Sequence, residues 1–127
     1  MKGKFSGLSD AEWIVMKKIW ELQKTNVREV FEELRSSQKW AYNTVRTMME
    51  RLKSKGYLSV KKIGNTYFYS PNVSQNKISR KALVDFIDKV FDGAVGSVVS
   101  YLVKHEKLSD SELQKIRDLV NKEDKKV

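Results

Sequence analysis

The spacing of the apolar residues changes at Gly56, and this change limits most strongly how the chain can fold. Before Gly56 the apolar residues recur every three or four positions, which is typical of one face of an α-helix. After it come two segments rich in β-branched and aromatic residues, Tyr57–Ile63 and Thr66–Tyr69, joined by Gly64 and Asn65. A two-residue connection of this kind favours a tight β-hairpin. The pattern therefore predicts helices first and then one hairpin.

Three helices are predicted before the hairpin. The first begins after Ser9, because Ser9 and Glu12 have the spacing of a capping box, and it runs to about Leu22. The second begins after Asn26, since asparagine is a favourable N-cap residue. The third lies within Ala41–Leu52. Three helices followed by a hairpin are the order of a winged helix-turn-helix, whose recognition helix enters the major groove of DNA.

The third predicted helix has one apolar side and one polar side. The apolar side would seat the helix on the first two, and it consists of Val45, Met48, Met49 and Leu52. Six polar side chains would face away from that seat: Asn43, Thr44, Arg46, Thr47, Glu50 and Arg51. Because Ala41 has no side chain that can cap a helix, either Asn43 caps a later start or the first turn is weakly held.

This polar set suits the major groove. An asparagine amide can pair with adenine, an arginine with guanine, and the methyl group of a threonine can lie against that of thymine. We expect the residues nearest the helix start, Asn43, Thr44, Arg46 and Thr47, to contact bases, and Arg51 to contact a phosphate. The alternative is a polar side that is merely solvated, and the place of this helix in the predicted order weighs against it.

The predicted hairpin would add contacts with the DNA backbone or the minor groove. We expect these contacts from Lys61, Lys62, Asn65 and Tyr67. They should be sensitive to salt and indifferent to sequence. The net charge of +9 agrees with a polyanionic partner. Residues 1–72 hold 14 Lys and Arg against 7 Asp and Glu, whereas residues 73–127 hold 11 against 9, so the positive field belongs mainly to the first part.

Other classes of function lack the residues that they need. The sequence has no cysteine and one histidine, His105, so thiolate chemistry is excluded and a histidine metal site or triad has no second imidazole. There is no Gly-rich phosphate loop and no nucleophile elbow. We therefore expect neither an enzyme nor a bound cofactor or metal.

No apolar run approaches the ~20 residues of a membrane span. The first residues also lack an apolar signal segment, so no membrane partner is expected, and the expected location is the cytoplasm.

Residues 73–127 are predicted to form a helical unit behind a hinge at Pro71–Ser74, and residues 1–72 a DNA-binding unit. The helical unit has two apolar stripes and a second capping box at Ser109 and Glu112. Because so small a unit covers its apolar residues poorly, either it folds back on the first unit or it packs on the same unit of a second copy. The hinge and the low net charge of residues 73–127 favour packing on a second copy. The predicted dimer contacts are Ile78, Leu83, Phe86, Ile87, Val90, Phe91, Val98, Val99, Leu102, Leu113 and Ile116.

The chain resembles a known family in three segments, "LSDAEWIVMKKIW", "KWAYNTVRTMMERLKSKGYL" and the hairpin ending "TYFYSP". This is the penicillinase repressor family of winged-helix regulators, the BlaI/MecI type, which is related to CopY. The resemblance continues through the helical unit and covers almost the whole chain. It implies a homodimeric repressor that binds double-stranded DNA at a palindromic operator, commonly with TACA and TGTA half-sites, and blocks transcription.

The same resemblance implies a route for relieving repression. In the members that respond to β-lactam antibiotics, a membrane sensor linked to a protease leads to cleavage within the dimerisation unit, and the repressor leaves its operator. By position the cleaved bond corresponds to Ser100–Tyr101, where the family usually has Asn-Phe. The cysteine motif of the copper-responsive members is absent. The remaining alternative is a winged-helix module that contacts proteins without sequence-specific DNA binding.

Overall fold

The computed structural model describes the backbone of residues 7–105 and 108–124, and the side chains of these residues as far as Asp118. The described residues form six helices and two strands. In chain order these are α1 (Asp10–Leu22), α2 (Val27–Leu34), α3 (Tyr42–Ser54), β1 (Leu58–Ile63), β2 (Thr66–Pro71), α4 (Gln75–Phe91), α5 (Val95–His105) and α6 (Asp110–Asp124). The predicted order, three helices followed by one hairpin, is confirmed.

The first helix begins where its capping box predicts. The amide of Glu12 donates to the hydroxyl of Ser9 at 3.2 Å, and the amide of Ser9 donates back to a carboxylate oxygen of Glu12 at 2.9 Å. Helix α2 begins in a related way, because the amide of Glu29 donates to the side chain of Asn26 at 2.8 Å. These bonds satisfy backbone donors that a helix start would otherwise leave unpaired.

Helix α3 begins at Tyr42 without a side-chain cap, because Ala41 occupies the cap position. Asn43 is therefore already inside the helix and does not cap a later start. An aromatic contact lies at this first turn instead: the ring of Tyr42 meets the ring of Phe31 on α2 edge-on, with 5.8 Å between the centroids. Such pairs stabilise a fold by about 0.5–1.5 kcal/mol beyond the contribution from burying the rings. This pair therefore helps to hold the start of α3, which has no side-chain cap.

The strands β1 and β2 pair antiparallel around Gly64 and Asn65, with Ile63 opposite Thr66. Gly64 has φ +64°, a conformation that glycine adopts without steric cost. Strand β2 also exchanges two backbone hydrogen bonds with Thr25, in the turn between α1 and α2, through Tyr69. The hairpin is thereby attached to the helices at its base, while its turn extends away from that attachment.

The three helices and the hairpin share one apolar core. Its fully buried apolar members come from α1, α2 and α3 and from the second residue before α1: Leu8, Val15, Met16, Ile19, Val30, Val45, Met49 and Leu52. Tyr69 closes the core from the hairpin and is 3% exposed. This arrangement is the winged helix-turn-helix that the sequence predicts, with α3 as its third helix and the hairpin as its wing.

The contacts divide the chain into two compact units, one up to Gln75 and one from Asn76. In the second unit, Ile87 of α4 and Val98 of α5 are buried against Leu83, Phe91, Val95 and Leu102. Helix α6 begins with the predicted second capping box, in which the amide of Glu112 donates to Ser109 at 3.1 Å. No helix within residues 7–105 and 108–124 is long and apolar enough to cross a membrane.

Candidate nucleic-acid interface

The outer side of α3 carries the five polar residues that the sequence assigns to DNA, and all five are exposed. They are Asn43, Thr44, Arg46, Thr47 and Arg51. The other side of the helix is buried, as expected, through Val45, Met48, Met49 and Leu52. The fold therefore presents amide, hydroxyl and guanidinium groups together on one face of a helix that is fixed by its apolar side.

Two depressions flank this face and divide the five residues between them. The first is a shallow hollow of about 320 Å³ lined by Asn43, Thr44, Thr47, Met48 and Arg51. The second is a cleft of about 420 Å³ between α3, the wing and the start of α2; we call it the wing cleft, and its lining is Asn26, Val27, Arg28, Tyr42, Arg46, Glu50, Asn65, Thr66, Tyr67 and Tyr69. Arg46 is thus the predicted α3 contact that faces the wing.

Arg46 and Asn43 also touch each other along the helix. The Nε group of Arg46 donates to the side-chain oxygen of Asn43 over 3.5 Å, a long hydrogen bond on an exposed surface. Such a bond contributes little to stability. It does place the guanidinium next to the amide, so the two groups with the clearest base-pairing preferences lie side by side.

The wing carries its two predicted lysines on opposite faces, because side chains alternate along a strand. Lys62 is paired with Tyr67, and its ammonium group lies 5.5 Å from the centre of the Tyr67 ring. Tyr67 lines the wing cleft and is 54% exposed. Lys61 is paired with Phe68, which belongs to the other face of the hairpin. The structure therefore brings Lys62, Tyr67 and Asn65 to the same side as Arg46, and it separates Lys61 from them.

Arg28 is a cation of this surface that the sequence reasoning missed. Its guanidinium lies 4.8 Å from the ring centre of Tyr42 and 3.7 Å from a carboxylate oxygen of Glu32, and it lines the wing cleft. No local signal predicts this position, since Arg28 and Tyr42 meet only because α2 and α3 pack together.

The wing cleft also contains one acidic group, Glu50, one turn beyond Arg46. The buried hydroxyl of Tyr69 donates to a carboxylate oxygen of Glu50 at 3.0 Å. Burial, followed by this carboxylate, raises the pKa of Tyr69 to about 12, so its hydroxyl remains a donor at any ordinary pH. The bond joins the wing strand β2 to α3 across the floor of the cleft.

Lys55, directly after α3, forms an ion pair with Glu12 at the start of α1. Its ammonium group lies 2.8 Å from Glu12 and 2.9 Å from the carbonyl oxygen of Gly7. Burial raises the pKa of Glu12, but hydrogen bonds from Lys55 and Ser9 outweigh burial and hold it below its ordinary value. The charge of Lys55 is therefore largely offset by that of Glu12.

The residues predicted as dimer contacts differ widely in their exposure within the single chain. Ile78, Ile87 and Val98 are buried, and six others are half-buried: Leu83, Phe91, Val99, Leu102, Leu113 and Ile116. Only Phe86 and Val90 are exposed, at 38% and 53%. Two further large apolar side chains of the same unit, Tyr101 and Val103, are more than half exposed.

The predicted cleavage position lies inside α5. Ser100 and Tyr101 are both exposed, and the ring of Tyr101 packs against that of His105, one turn later, with 4.4 Å between the centroids. The bond between them separates Val98, which is buried in the helical unit, from Leu102, which packs against the same cluster.

Comparison with known proteins places this architecture among bacterial repressors. A family model described as penicillinase repressor matches residues 8–122. The methicillin resistance regulatory protein MecI of Mammaliicoccus sciuri is 34% identical over 122 residues, which cover 96% of this chain and 99% of that protein. The penicillinase repressor of Staphylococcus aureus is 32% identical over 126 residues, which cover 99% of this chain and 100% of that protein.

The first unit is also similar to a solved structure. This is the solution structure of the monomeric form of Bacillus licheniformis BlaI in complex with the blaP half-operator. The match has a TM-score of 0.50 and 40% sequence identity, and it covers 57% of this chain and 89% of the other.

Proposed function

Because the chain belongs to the penicillinase repressor family, we propose that it is a homodimeric repressor that binds a palindromic operator through α3 and the wing. The observation that carries this proposal is the exposed face of α3, on which Asn43, Thr44, Arg46 and Thr47 stand together. Amide, guanidinium and methyl-bearing hydroxyl groups are the side chains that read base edges in the major groove. The similar BlaI protein forms a complex with the blaP half-operator, which supports DNA binding by this chain.

Contacts with the sugar-phosphate backbone would come from around this face. Arg51 lies at the far end of α3, and Lys62, Asn65 and Tyr67 project from the wing on the cleft side. Lys61 would reach the backbone from the opposite face of the hairpin. Cations that contact phosphates release counterions, so this part of the affinity should fall steeply with salt and depend little on sequence.

The second unit would join two copies. Its own cluster around Ile87 and Val98 stabilises one chain, and Phe86, Val90, Tyr101 and Val103 remain on its surface for a partner. A two-fold dimer places two recognition helices along the duplex, which is how such proteins select a palindrome. TACA and TGTA half-sites, common in the family, are the first sequences to test. Repression of this kind takes place where the DNA is, in the cytoplasm, and needs no cofactor or catalysis.

Release by proteolysis, through a protease linked to a membrane sensor, would act on the second unit. Cleavage of the Ser100–Tyr101 bond would divide α5 between Val98 and Leu102, which share one apolar cluster. Because a protease binds its substrate in an extended form, α5 would have to unwind locally first. Loss of that cluster would separate the two copies, and a single reading unit binds an operator far more weakly than a linked pair.

Footprinting on the promoter beside the gene of this protein tests the proposal. We expect a protected region with two-fold symmetry, and the same region should lose protection when Arg46 is changed to alanine. Repeating the experiment at two salt concentrations separates the phosphate contribution from base contacts. No footprint at all would favour the alternative of a protein-binding module. A symmetric footprint that Arg46→Ala leaves unchanged would contradict base reading by Arg46.

A further inference from the structure

The carboxylate of Glu50 is unexpected in a cleft that should take a polyanion. Glu50 is exposed, lines the wing cleft with Arg28 and Arg46, and lies on the side of α3 that faces the wing. Residues 1–72 carry twice as many basic as acidic groups, yet this acidic group stands where the wing and α3 meet. The position of the carboxylate is fixed by its hydrogen bond with Tyr69. Tyr69 is itself buried, and its backbone amide and carbonyl groups both form hydrogen bonds with Thr25.

The bond with Tyr69 leaves the negative charge of Glu50 in place. A tyrosine hydroxyl is a neutral donor, so it orients the carboxylate without cancelling its charge, unlike the ammonium group of Lys55 at Glu12. One oxygen of Glu50 is engaged at 3.0 Å, and a carboxylate has further lone pairs with which to accept from another donor. Glu50 is thus an oriented anion with free accepting capacity.

DNA offers this anion two very different kinds of group. Backbone phosphates carry like charge and cannot donate a hydrogen bond. Amino groups on base edges, such as N4 of cytosine, donate to carboxylates in the major groove. Non-specific binding depends almost entirely on phosphate contacts. An oriented carboxylate therefore weakens binding to random DNA more than it weakens binding to the operator, where the protein sits in one fixed alignment.

We propose, on the basis of the repressor function proposed above, that Glu50 is a specificity-determining residue: its carboxylate, positioned by Tyr69 in the wing cleft, disfavours backbone phosphates there and thereby widens the gap between operator and random DNA. Tyr69 is in this scheme a positioning residue, since it acts through Glu50. The quantity that Glu50 controls is the ratio of the affinity for the operator to the affinity for random DNA. Its effect on either affinity alone is secondary.

The test compares affinities for two duplexes, one enriched from a random pool by the wild-type protein and one of scrambled sequence. Glu50→Gln keeps an oxygen that can accept from Tyr69 and removes only the charge. We expect it to lower the ratio of enriched to scrambled affinity on the order of threefold or more at low salt, a size suggested by one like-charge contact near a surface. An unchanged or higher ratio would overturn the proposal.

Two further variants test whether the effect comes from the charge at Glu50 and from its positioning by Tyr69. Glu21→Gln removes the same charge from an exposed position on α1 outside the wing cleft, so its ratio should equal that of the wild type. Tyr69→Phe keeps the ring but not the hydroxyl, and it should lower the ratio in the same direction as Glu50→Gln. If Glu21→Gln lowered the ratio equally, overall charge would explain the effect and the proposal would be wrong. A wild-type protein that enriches no duplex would contradict the repressor function itself.

Discussion

The ammonium group of Lys55 lies 2.8 Å from the carboxylate of Glu12, which joins the end of α3 to the start of α1. Glu12 is 3% exposed, and its other hydrogen bonds belong to the capping box of α1. This ion pair thus holds the far end of α3 against α1. The same contact occupies an acidic group that burial alone would leave protonated more easily.

Replacing Lys55 with methionine should lower the free energy of unfolding by about 1–3 kcal/mol, because a buried carboxylate loses its charged partner. Chemical unfolding in urea at neutral pH would measure this change. Lys53→Met is the matched control, since Lys53 is exposed on the same turn and the charge change is identical. Equal stabilities for the two variants would show that the Lys55–Glu12 pair contributes nothing.

The stability of the wild type should also fall at alkaline pH for a reason specific to Tyr69. Its pKa is about 12 in the folded protein, against about 10 in an unfolded chain. Below pH 10 Tyr69 is protonated in both the folded and the unfolded state, so it makes the free energy of unfolding no more dependent on pH. Between pH 10 and 12 Tyr69 loses its proton only in the unfolded state, so the free energy of unfolding falls as pH rises. Relative to Tyr69→Phe, the wild type should lose about 1.4 kcal/mol for each pH unit in that window. Parallel unfolding curves for the two proteins from pH 9 to 11 would contradict this.

Base contacts and phosphate contacts should respond differently to substitution. Arg46→Ala should cost about 1–3 kcal/mol of operator affinity and relax the preference at one base pair. Lys62→Ala should weaken all duplexes alike and reduce the slope of log affinity against log salt by about 1. Titrations with matched and mismatched duplexes at several salt concentrations measure both. Lys17→Ala, on the exposed side of α1, should change neither quantity.

The elements of the fold could be predicted because their signals are local. Ser9 and Glu12 are three residues apart, and Gly64 and Asn65 are adjacent, so both the start of α1 and the turn of the wing can be inferred from short segments. The split of α3 into a buried and an exposed side follows from helical spacing alone. These parts of the sequence-based interpretation needed no knowledge of how the elements pack.

The contacts that shape the surface of α3 and the wing could not be predicted in this way. Lys55 and Glu12 are 43 residues apart, and Tyr69 and Glu50 are 19 apart. Which lysine is neutralised and which carboxylate is oriented depends on how α1, α3 and the wing pack, and side-chain type gives no hint of it. Helical spacing likewise placed Phe86 and Ile87 in one predicted dimer stripe, although Ile87 is 2% exposed and Phe86 is 38% exposed.

That difference within the second unit leads to a prediction about assembly. Val90 is 53% exposed on α4, so an aspartate there would be solvated in a single chain but buried, without a partner, in a dimer. Val90→Asp should therefore yield folded monomers with much weaker operator binding, as seen by sedimentation and by titration with a full palindrome. Asn76→Asp adds the same charge at an exposed polar position of α4 and should remain dimeric. Ile87→Ala should instead lower the stability of the helical unit by roughly 2–5 kcal/mol, because Ile87 packs inside one chain. A Val90→Asp protein that sediments as a dimer would place the contact between copies on another face of the unit.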